Sequence, residues 1–212
     1  MKKEKTVFVV DGDESYANWL LPIGYKLVGS PELATLLFFT GGPDVSPFLY
    51  GENVGSRTWS DKNRDLYELD IFNKFPKTNK IGVCLGGQHL TVFNGYKLVQ
   101  HMNHPGRHPT ITLDGQVLES TSTHHQQFLL QENGLVKSSK YTLLGWAEKL
   151  SPIHLNGDDE DYRFPQDYKE PEIVLYENDN CKSLAVQMHP EFFPNNHPTV
   201  TYLQNLVTNV FF

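Results

Sequence analysis

The chain has 212 residues, 39% of them hydrophobic and 20% charged, which is ordinary for a globular protein with one substantial core. Its formal net charge of -7 offers no basic field for nucleic acid or an anionic membrane, and no apolar run approaches transmembrane length. Two cysteines, Cys84 and Cys181, do not make a disulfide framework. We therefore expect a single domain over residues 1–212 in the cytoplasm.

The first half of the chain alternates short apolar runs with segments that suit helices. Residues 45–63 have no clear period and are predicted to be a loop. This alternation predicts an α/β domain with a largely parallel sheet, in which chemistry gathers beyond the carboxyl ends of the strands. Strands are predicted at Thr6–Val10, 26–28, Leu36–Thr40 and Ile81–Val83, and helices at 14–21, 64–74 and from the last strand to about Phe93.

The second half is richer in strands and includes an acidic stretch. Strands are predicted at 109–113, 141–146, 173–176 and 184–188, with a hairpin-like turn at Asp114-Gly115 and a closing helix at 198–211. Residues 148–172 are polar and include the run Asp158-Asp159-Glu160-Asp161. Because unpaired carboxylates are rarely buried, this stretch is predicted to be a surface insertion.

Cys84 is the candidate nucleophile. It ends the apolar run Ile81–Val83 and is followed by small residues and a helix-compatible segment. This pattern is typical of a sharp strand-to-helix turn, which needs small neighbours because the backbone is strained and the helix packs close behind it. Such a turn also places the sulfur near a helix N-terminus, where a thiolate is stabilised. The alternative is a buried structural cysteine.

His189 and Glu191 follow a predicted strand and supply the other groups that a thiol nucleophile needs. Pro190 keeps the backbone of His189 out of the helical region and stiffens the link to Glu191. A histidine accepts the thiol proton and returns it to a leaving amine, while a carboxylate orients the ring. A surface His-Pro turn with an incidental glutamate is the alternative.

The third element is the turn around Gly41-Gly42, just after the third predicted strand. Attack on an amide carbonyl creates an oxyanion that needs two preorganised N–H donors. The backbone amide of Leu85, directly after the nucleophile, is predicted to be one donor. The second is predicted to come from Gly42 or its neighbour Gly41, where no side chain blocks the approach. An ordinary glycine turn is the alternative.

These motifs resemble those of the class I glutamine amidotransferase family of the triad type, through Gly82–Gln88 together with His189–Glu191. Within that family, Thr40–Pro47 with Tyr50–Glu52, Arg64-Asp65 with Glu68, and Ser122–Gln126 resemble the γ-glutamyl hydrolase branch. The resemblance spans residues 6 to about 193.

The resemblance implies a flavodoxin-like sheet domain that cleaves a γ-glutamyl amide through a thioester, with no metal and no organic cofactor. It implies that Cys84 is the nucleophile, His189 the base and Glu191 its orienter. It also places Gln88 and the segment 123–126, which includes His124, His125 and Gln126, near the bound glutamyl group.

Two further functions remain open. The chain is alternatively a glutaminase subunit that delivers ammonia to a separate synthetase acting in trans, or a catalytically silent binding protein. The two glutamyl-cleaving functions differ in whether the isolated chain cleaves γ-glutamyl amines unaided.

Other residues of reactive or metal-binding types give weaker predictions. His101, His104 and His108 suggest a metal site, but no cysteine or carboxylate cluster accompanies them and Pro105-Gly106 breaks any helical face. Cys181 has no base nearby in sequence and is predicted to be inert. Arg64 neutralises a substrate carboxylate or forms an intrahelical pair with Glu68.

Overall fold

The computed structural model describes residues 4–103, 106–130, 138–158, 160–161, 163–165 and 167–212. The strands are β1 (Thr6–Val9), β2 (Lys26–Leu27), β3 (Leu36–Phe39), β4 (Asn79–Val83), β5 (Lys97–Val99), β6 (His101–Met102), β7 (Arg107–Thr112), β8 (Val117–Thr121), β9 (Gln127–Leu129), β10 (Tyr141–Ala147), β11 (His154–Asn156), β12 (Glu160–Asp161), β13 (Pro171–Glu177) and β14 (Lys182–Val186). The α-helices are α1 (Lys62–Lys74), α2 (Leu85–Phe93) and α3 (Pro198–Phe211), and 3-10 segments cover Glu14–Ile23, Pro31–Leu33, Pro47–Tyr50 and Pro190–Phe192.

A nine-stranded sheet forms the centre of the molecule, in the order β2-β1-β3-β4-β14-β13-β10-β7-β8. The five strands from β2 to β14 pair in parallel, and those from β14 to β8 pair antiparallel. The predicted flavodoxin-like α/β fold is therefore confirmed, and the strand-rich second half extends the parallel sheet with antiparallel strands. Smaller sheets pair β12-β11-β6 and β5-β9.

The sheet separates two apolar clusters because consecutive side chains of its inner strands point to opposite faces. Phe38 packs on one face with Ile81 and with Leu203 of α3, while Phe39 packs on the other face with Leu90 of α2. All four residues of β3 are buried, which explains its unbroken apolar sequence.

The register of the parallel strands aligns the segments that carry the predicted chemistry. Phe39 of β3 is opposite Gly82 of β4, and Val83 is opposite Val186 of β14. Because the carboxyl ends of parallel strands meet at one edge of a sheet, this edge carries the Gly41-Gly42 turn, Cys84 and His189.

Two segments differ in detail from the sequence prediction. The stretch 45–63 contains the 3-10 turn Pro47–Tyr50 and an isolated bridge between Asp44 and Ser60, and α1 begins at Lys62 behind its N-cap, Asp61. The acidic stretch 148–172 contains β11 and β12.

Several side chains of the stretch 148–172 are buried, namely Ser151, His154 and Glu170. Asp158 is exposed, and Asp159 lies outside the described residues. The assignment of the stretch as an insertion stays a prediction. Among the described residues, no helix is both long enough and apolar enough to cross a membrane.

Candidate active site

Cys84 stands at the tip of the turn between β4 and α2, in a strained backbone conformation. Its φ of 52° and ψ of -113° make it the one non-glycine residue with positive φ in the described part of the chain. Backbone hydrogen bonds on both sides of Cys84 maintain this conformation. The Cys84 N–H donates to the carbonyl of Val186 at 2.8 Å, and the Cys84 carbonyl accepts from the N–H of Gln88 at 2.9 Å. The predicted strand-to-helix elbow is present.

The glycines around Cys84 are required by close backbone contacts. A Cβ on Gly82 would lie 2.2 Å from the Gly86 carbonyl oxygen, and one on Gly86 would lie 2.1 Å from that of Phe39. The Gly86 N–H also donates to the carbonyl of Thr40 at 2.9 Å. The first turn of α2 therefore packs directly on β3 and β4, and the sequence prediction of small neighbours has this physical basis.

His189 and Glu191 are joined by the 3-10 turn that follows β14. The His189 Nδ1 and a Glu191 carboxylate oxygen are 2.6 Å apart, and the backbone N–H of His189 donates to Thr121 Oγ1 at 3.0 Å. The Phe192 ring stacks on the imidazole at 4.6 Å between centroids, with 6° between the planes. The ring of His189 is thus fixed by contacts at its backbone, its Nδ1 and its face.

The opposite nitrogen of His189, Nε2, is 3.0 Å from Thr123 Oγ1, and Cys84 lines the same cavity as the His189 ring. Burial lowers the pKa of His189, but hydrogen bonds with Cys84 and Glu191, together with their negative charges, raise it overall to about 10. This environment favours the imidazolium form of His189.

Arg64 of α1 anchors the Gly41-Gly42 turn from behind. Its Nη2 donates to the Gly41 carbonyl at 3.1 Å and to Thr40 Oγ1 at 2.9 Å, while its Nε pairs with Glu68 at 2.8 Å and Asp11 at 3.0 Å. The intrahelical pair with Glu68, one of the two predicted roles of Arg64, is observed. Because a trans peptide directs its C=O and N–H in opposite directions, the Gly42 N–H points away from Arg64.

The glycine turn lies against both halves of the candidate machinery. A Cβ on Gly41 would be 2.9 Å from His189 Cε1, and one on Gly42 would be 2.8 Å from Leu85 Cδ2. Leu85 is the first residue of α2, so its N–H has no acceptor within the helix. The two amides predicted to bind an oxyanion, those of Leu85 and Gly42, therefore flank Cys84, and their role stays a prediction.

A cavity of about 400 Å³ opens over Cys84 and His189. It contains the predicted residues Gly42, Gln88, His124 and His125, but sequence reasoning assigned no role to several other lining residues. Those additional residues are Tyr16, Pro43, Asp44, Trp59 and Phe192, whereas Thr123, which also lines the cavity, belongs to the predicted segment 123–126. Most of them directly precede or follow a predicted motif residue, and proximity to the motifs was the one signal available.

The predicted substrate-binding residues divide into two groups. Gln88, His124 and His125 line the cavity. The Gln126 side chain instead accepts from the Val45 N–H at 2.8 Å and donates to the Val45 carbonyl at 3.1 Å, and the residue is fully buried. The position of Gln126 therefore supports a role in fixing the backbone at Val45 rather than direct contact with substrate.

His125 bridges the cavity to a second histidine. Its Nε2 is 3.0 Å from Asp44 Oδ1 and its Nδ1 is 3.4 Å from His101 Nδ1. The hydrogen bond with Asp44 raises the pKa of His125 against the effect of burial, whereas burial and the neighbouring His125 lower the pKa of His101. Of the two rings, His125 therefore has the higher pKa.

The two described histidines among those that suggested a metal site, His101 and His108, have different partners. His101 contacts His125, His108 Nε2 is 3.2 Å from a Glu172 oxygen, and His104 lies outside the described residues. Within the described ranges, no group of three or more histidine, cysteine or acidic side chains is arranged to hold a metal ion.

A buried charge network behind the nucleophile was missed by sequence reasoning. His89 of α2 is fully buried, with Nδ1 2.7 Å from Glu68 and Nε2 2.6 Å from Asp65. Burial lowers the pKa of His89, but the two carboxylates raise it overall to about 8. Asp65 also accepts from the Ser46 N–H at 3.0 Å, so the network ties α1, α2 and the loop after the glycine turn together.

Comparison with known proteins identifies relatives of the chain. Residues 32–144 match the model of the peptidase C26 family. The glutamine amidotransferase-like protein YvdE of Lactococcus lactis subsp. lactis is 28% identical over 199 residues, which cover 87% of this chain and 73% of that protein. Its homolog from Lactococcus lactis subsp. cremoris is 37% identical over 100 residues, covering 46% of this chain and 47% of that protein.

Solved structures share the fold at low sequence identity. A candidate GMP synthase subunit from Thermoplasma acidophilum is 15% identical with a TM-score of 0.58, covering 100% of this chain and 94% of its own. A glutamine amidotransferase from Thermotoga maritima is 13% identical with a TM-score of 0.55, covering 89% and 77%. A chain of PurLQS from Thermotoga maritima is 14% identical with a TM-score of 0.58, covering 97% and 100%.

Proposed function

We propose that this chain, which belongs to the peptidase C26 family, hydrolyses a γ-glutamyl amide bond through a thioester on Cys84. The observation that carries the proposal is the convergence of three groups at one sheet edge. Cys84 and His189 line the same cavity, the Cys84 side chain raises the pKa of His189, and His189 Nδ1 lies 2.6 Å from Glu191. Nucleophile, base and orienting carboxylate are thus in the order that covalent acyl transfer needs.

The first half of the proposed reaction acylates the enzyme. The Cys84 thiolate attacks the γ-carbonyl carbon, and the oxyanion that forms accepts hydrogen bonds from the N–H groups of Leu85 and Gly42. The carbon–nitrogen bond then breaks as the His189 imidazolium donates its Nε2 proton to the departing nitrogen. The products of this step are ammonia or an amine and a γ-glutamyl thioester.

The second half releases glutamate. A water molecule gives a proton to the neutral His189 as its oxygen attacks the thioester carbon, and the carbon–sulfur bond breaks to regenerate the thiolate. Glu191 stabilises the imidazolium that is present before acylation and the one that forms again when water attacks the thioester. We assign contacts with the glutamyl group to Gln88, His124 and His125, which line the cavity.

A matched pair of cysteine substitutions tests the proposal. Cys84→Ala is expected to abolish release of glutamate from glutamine and from γ-glutamyl methylamide, since no other described residue replaces the sulfur. Cys181→Ala is the control, because Cys181 is a buried free thiol whose neighbours are Lys80 and Asn178. Acid quenching during turnover, followed by peptide mass spectrometry, should locate the acyl group on Cys84. Undiminished turnover by Cys84→Ala would exclude the mechanism.

A second candidate is a glutaminase subunit that supplies ammonia to a synthetase in trans. Its support is the fold that this chain shares with the candidate GMP synthase component and with a chain of PurLQS, and that likeness concerns the fold alone. The isolated chain separates the two candidates: a stand-alone hydrolase cleaves substituted γ-glutamyl amides unaided, whereas a dependent subunit turns over glutamine only when its synthetase is added.

A further inference from the structure

The cavity over Cys84 has a buried polar floor and an exposed aromatic mouth. Cys84, Gln88 and His189 are 5%, 2% and 4% exposed, whereas Trp59 and Phe192 are 78% and 56% exposed although both line the same cavity. We call Trp59 and Phe192 the aromatic rim. Large exposed aromatic side chains beside a polar pocket are typical of a surface that a ligand covers.

Phe192 is placed where the leaving group has to pass. Its ring stacks on the imidazole of His189 at 4.6 Å between centroids. In the proposed reaction, His189 donates a proton to the departing nitrogen, so that nitrogen lies within hydrogen-bond distance of the imidazole. A substituent on that nitrogen then lies next to the Phe192 ring and covers it. When the leaving group is ammonia, the ring stays exposed to water.

Trp59 is exposed but its backbone is held firmly. The Trp59 N–H donates to Asp44 Oδ2 at 2.8 Å, and the Trp59 carbonyl accepts from the Asp44 N–H at 2.9 Å. The other Asp44 oxygen is 3.0 Å from His125 Nε2. The indole is thus presented from a fixed backbone, which lowers the entropy that is lost when a ligand packs on it.

The charges around the cavity indicate which amine fits. No lysine or arginine lines it among the described residues, so no side chain of that kind pairs with a carboxylate on the leaving group. Asp44 is 8% exposed and its oxygens accept hydrogen bonds from His125 and from the Trp59 N–H, so little of this carboxylate is accessible to an ammonium group in the cavity. An uncharged substituent satisfies both conditions.

We propose that the aromatic rim is a leaving-group subsite, and that the substrates are γ-glutamyl amides of uncharged aromatic or bulky apolar amines. This inference rests on the proposed function, because it concerns the bond that His189 and Cys84 cleave. The rim acts in acylation only, since every substrate passes through the same γ-glutamyl thioester. Substitution of a rim residue should therefore change kcat/KM, whereas a kcat that is limited by hydrolysis of the thioester should stay the same.

The test uses γ-glutamyl amides of benzylamine, methylamine and 1,4-diaminobutane, whose leaving nitrogens are all attached to alkyl carbon. We expect the wild-type kcat/KM for the benzylamide to exceed that for the methylamide at least tenfold. Trp59→Ala should reduce this ratio about tenfold, a typical contribution of one aromatic contact, and Trp59→Phe should restore most of it. Phe212→Ala is the control, because Phe212 is a 57% exposed aromatic residue that packs on Tyr25 instead.

Each other outcome overturns the inference in a recognisable way. A benzylamide-to-methylamide ratio that Trp59→Ala does not change would remove the rim from substrate selection while leaving the proposed hydrolysis intact. Preference for the diaminobutane amide would assign the site to cationic amines. If the protein hydrolyses glutamine but none of the three substituted amides, the rim is better explained as a contact surface for another protein. If no amide and no glutamine acylates Cys84, the proposed function fails together with the inference.

Discussion

The buried network around His89 makes a quantitative prediction about stability. His89 lies between Glu68 and Asp65 with no exposed surface, and its pKa of about 8 is above the ordinary 6.5 because the two carboxylates outweigh the effect of burial. A histidine whose pKa is raised by folding binds its proton more tightly in the folded chain. It therefore stabilises the fold below the unfolded pKa and loses that contribution as the pH rises through the folded pKa.

The size of the effect follows from the two pKa values. A difference between 6.5 and about 8 corresponds to about 2 kcal/mol of unfolding free energy, which is present at about pH 6 and almost absent at about pH 9. His89→Gln removes this contribution, leaves the buried Asp65 carboxylate without its cationic partner and leaves Glu68 paired with Arg64 alone. We expect it to lower stability by about 3 to 5 kcal/mol at the lower pH, and by about 2 kcal/mol less at the higher pH.

Urea unfolding of the wild type, His89→Gln and Glu68→Gln across this pH range measures the effect. Groups that titrate elsewhere in the chain are common to all three proteins, so the difference between curves isolates the network. Glu68→Gln is the matched variant, since it keeps the histidine but removes the carboxylate that does most to raise its pKa. If the wild type and His89→Gln lose stability in parallel between about pH 6 and pH 9, the assignment of a protonated His89 is wrong.

Three further predictions follow from the site. Gly82→Ala would place a Cβ 2.2 Å from a backbone oxygen of α2 and should lower stability by about 3 kcal/mol or more in urea unfolding, whereas Gly29→Ala, with nothing within 4 Å, should change it by less than about 1 kcal/mol. Glu191→Gln removes one group that raises the pKa of His189, so the alkaline limb of the kcat/KM profile should shift to lower pH with at least a tenfold loss of activity; an unshifted limb would contradict this role. Gln126→Ala should reduce stability by about 1 to 3 kcal/mol because it leaves the buried N–H and C=O of Val45 unpaired; a change in KM at unaltered stability would instead restore its predicted contact with substrate.

The elements that carry the chemistry were predictable because their local sequence has few physical alternatives. The run Ile81–Val83 can only be a buried strand, and the glycines after Cys84 permit the close contact of α2 with β3 and β4 that a bulkier residue prevents. The same holds for His189–Glu191, where Pro190 limits the backbone and the following turn returns the carboxylate to the ring.

The contributions that sequence reasoning missed depend on contacts between distant segments. His89 lies within a mostly apolar helix, and its partners are about twenty residues earlier on α1. The loop 45–63 has no period because its conformation is fixed by Asp44, Gln126 and the network rather than by local propensity. The place of Gln126 could not be read from its neighbours in sequence, since a glutamine beside two site histidines suits a structural role equally well.

The positive φ of Cys84 implies a trade-off between reactivity and folding. An L-residue with a side chain pays for that conformation with about 1 to 3 kcal/mol, and a glycine would adopt it freely. Replacing Cys84 with glycine would therefore raise the thermal stability of the fold but remove the thiol. Cys84 is the one non-glycine residue with positive φ among the described residues. A cysteine at such a strained position is what selection for catalysis, rather than for stability, would produce.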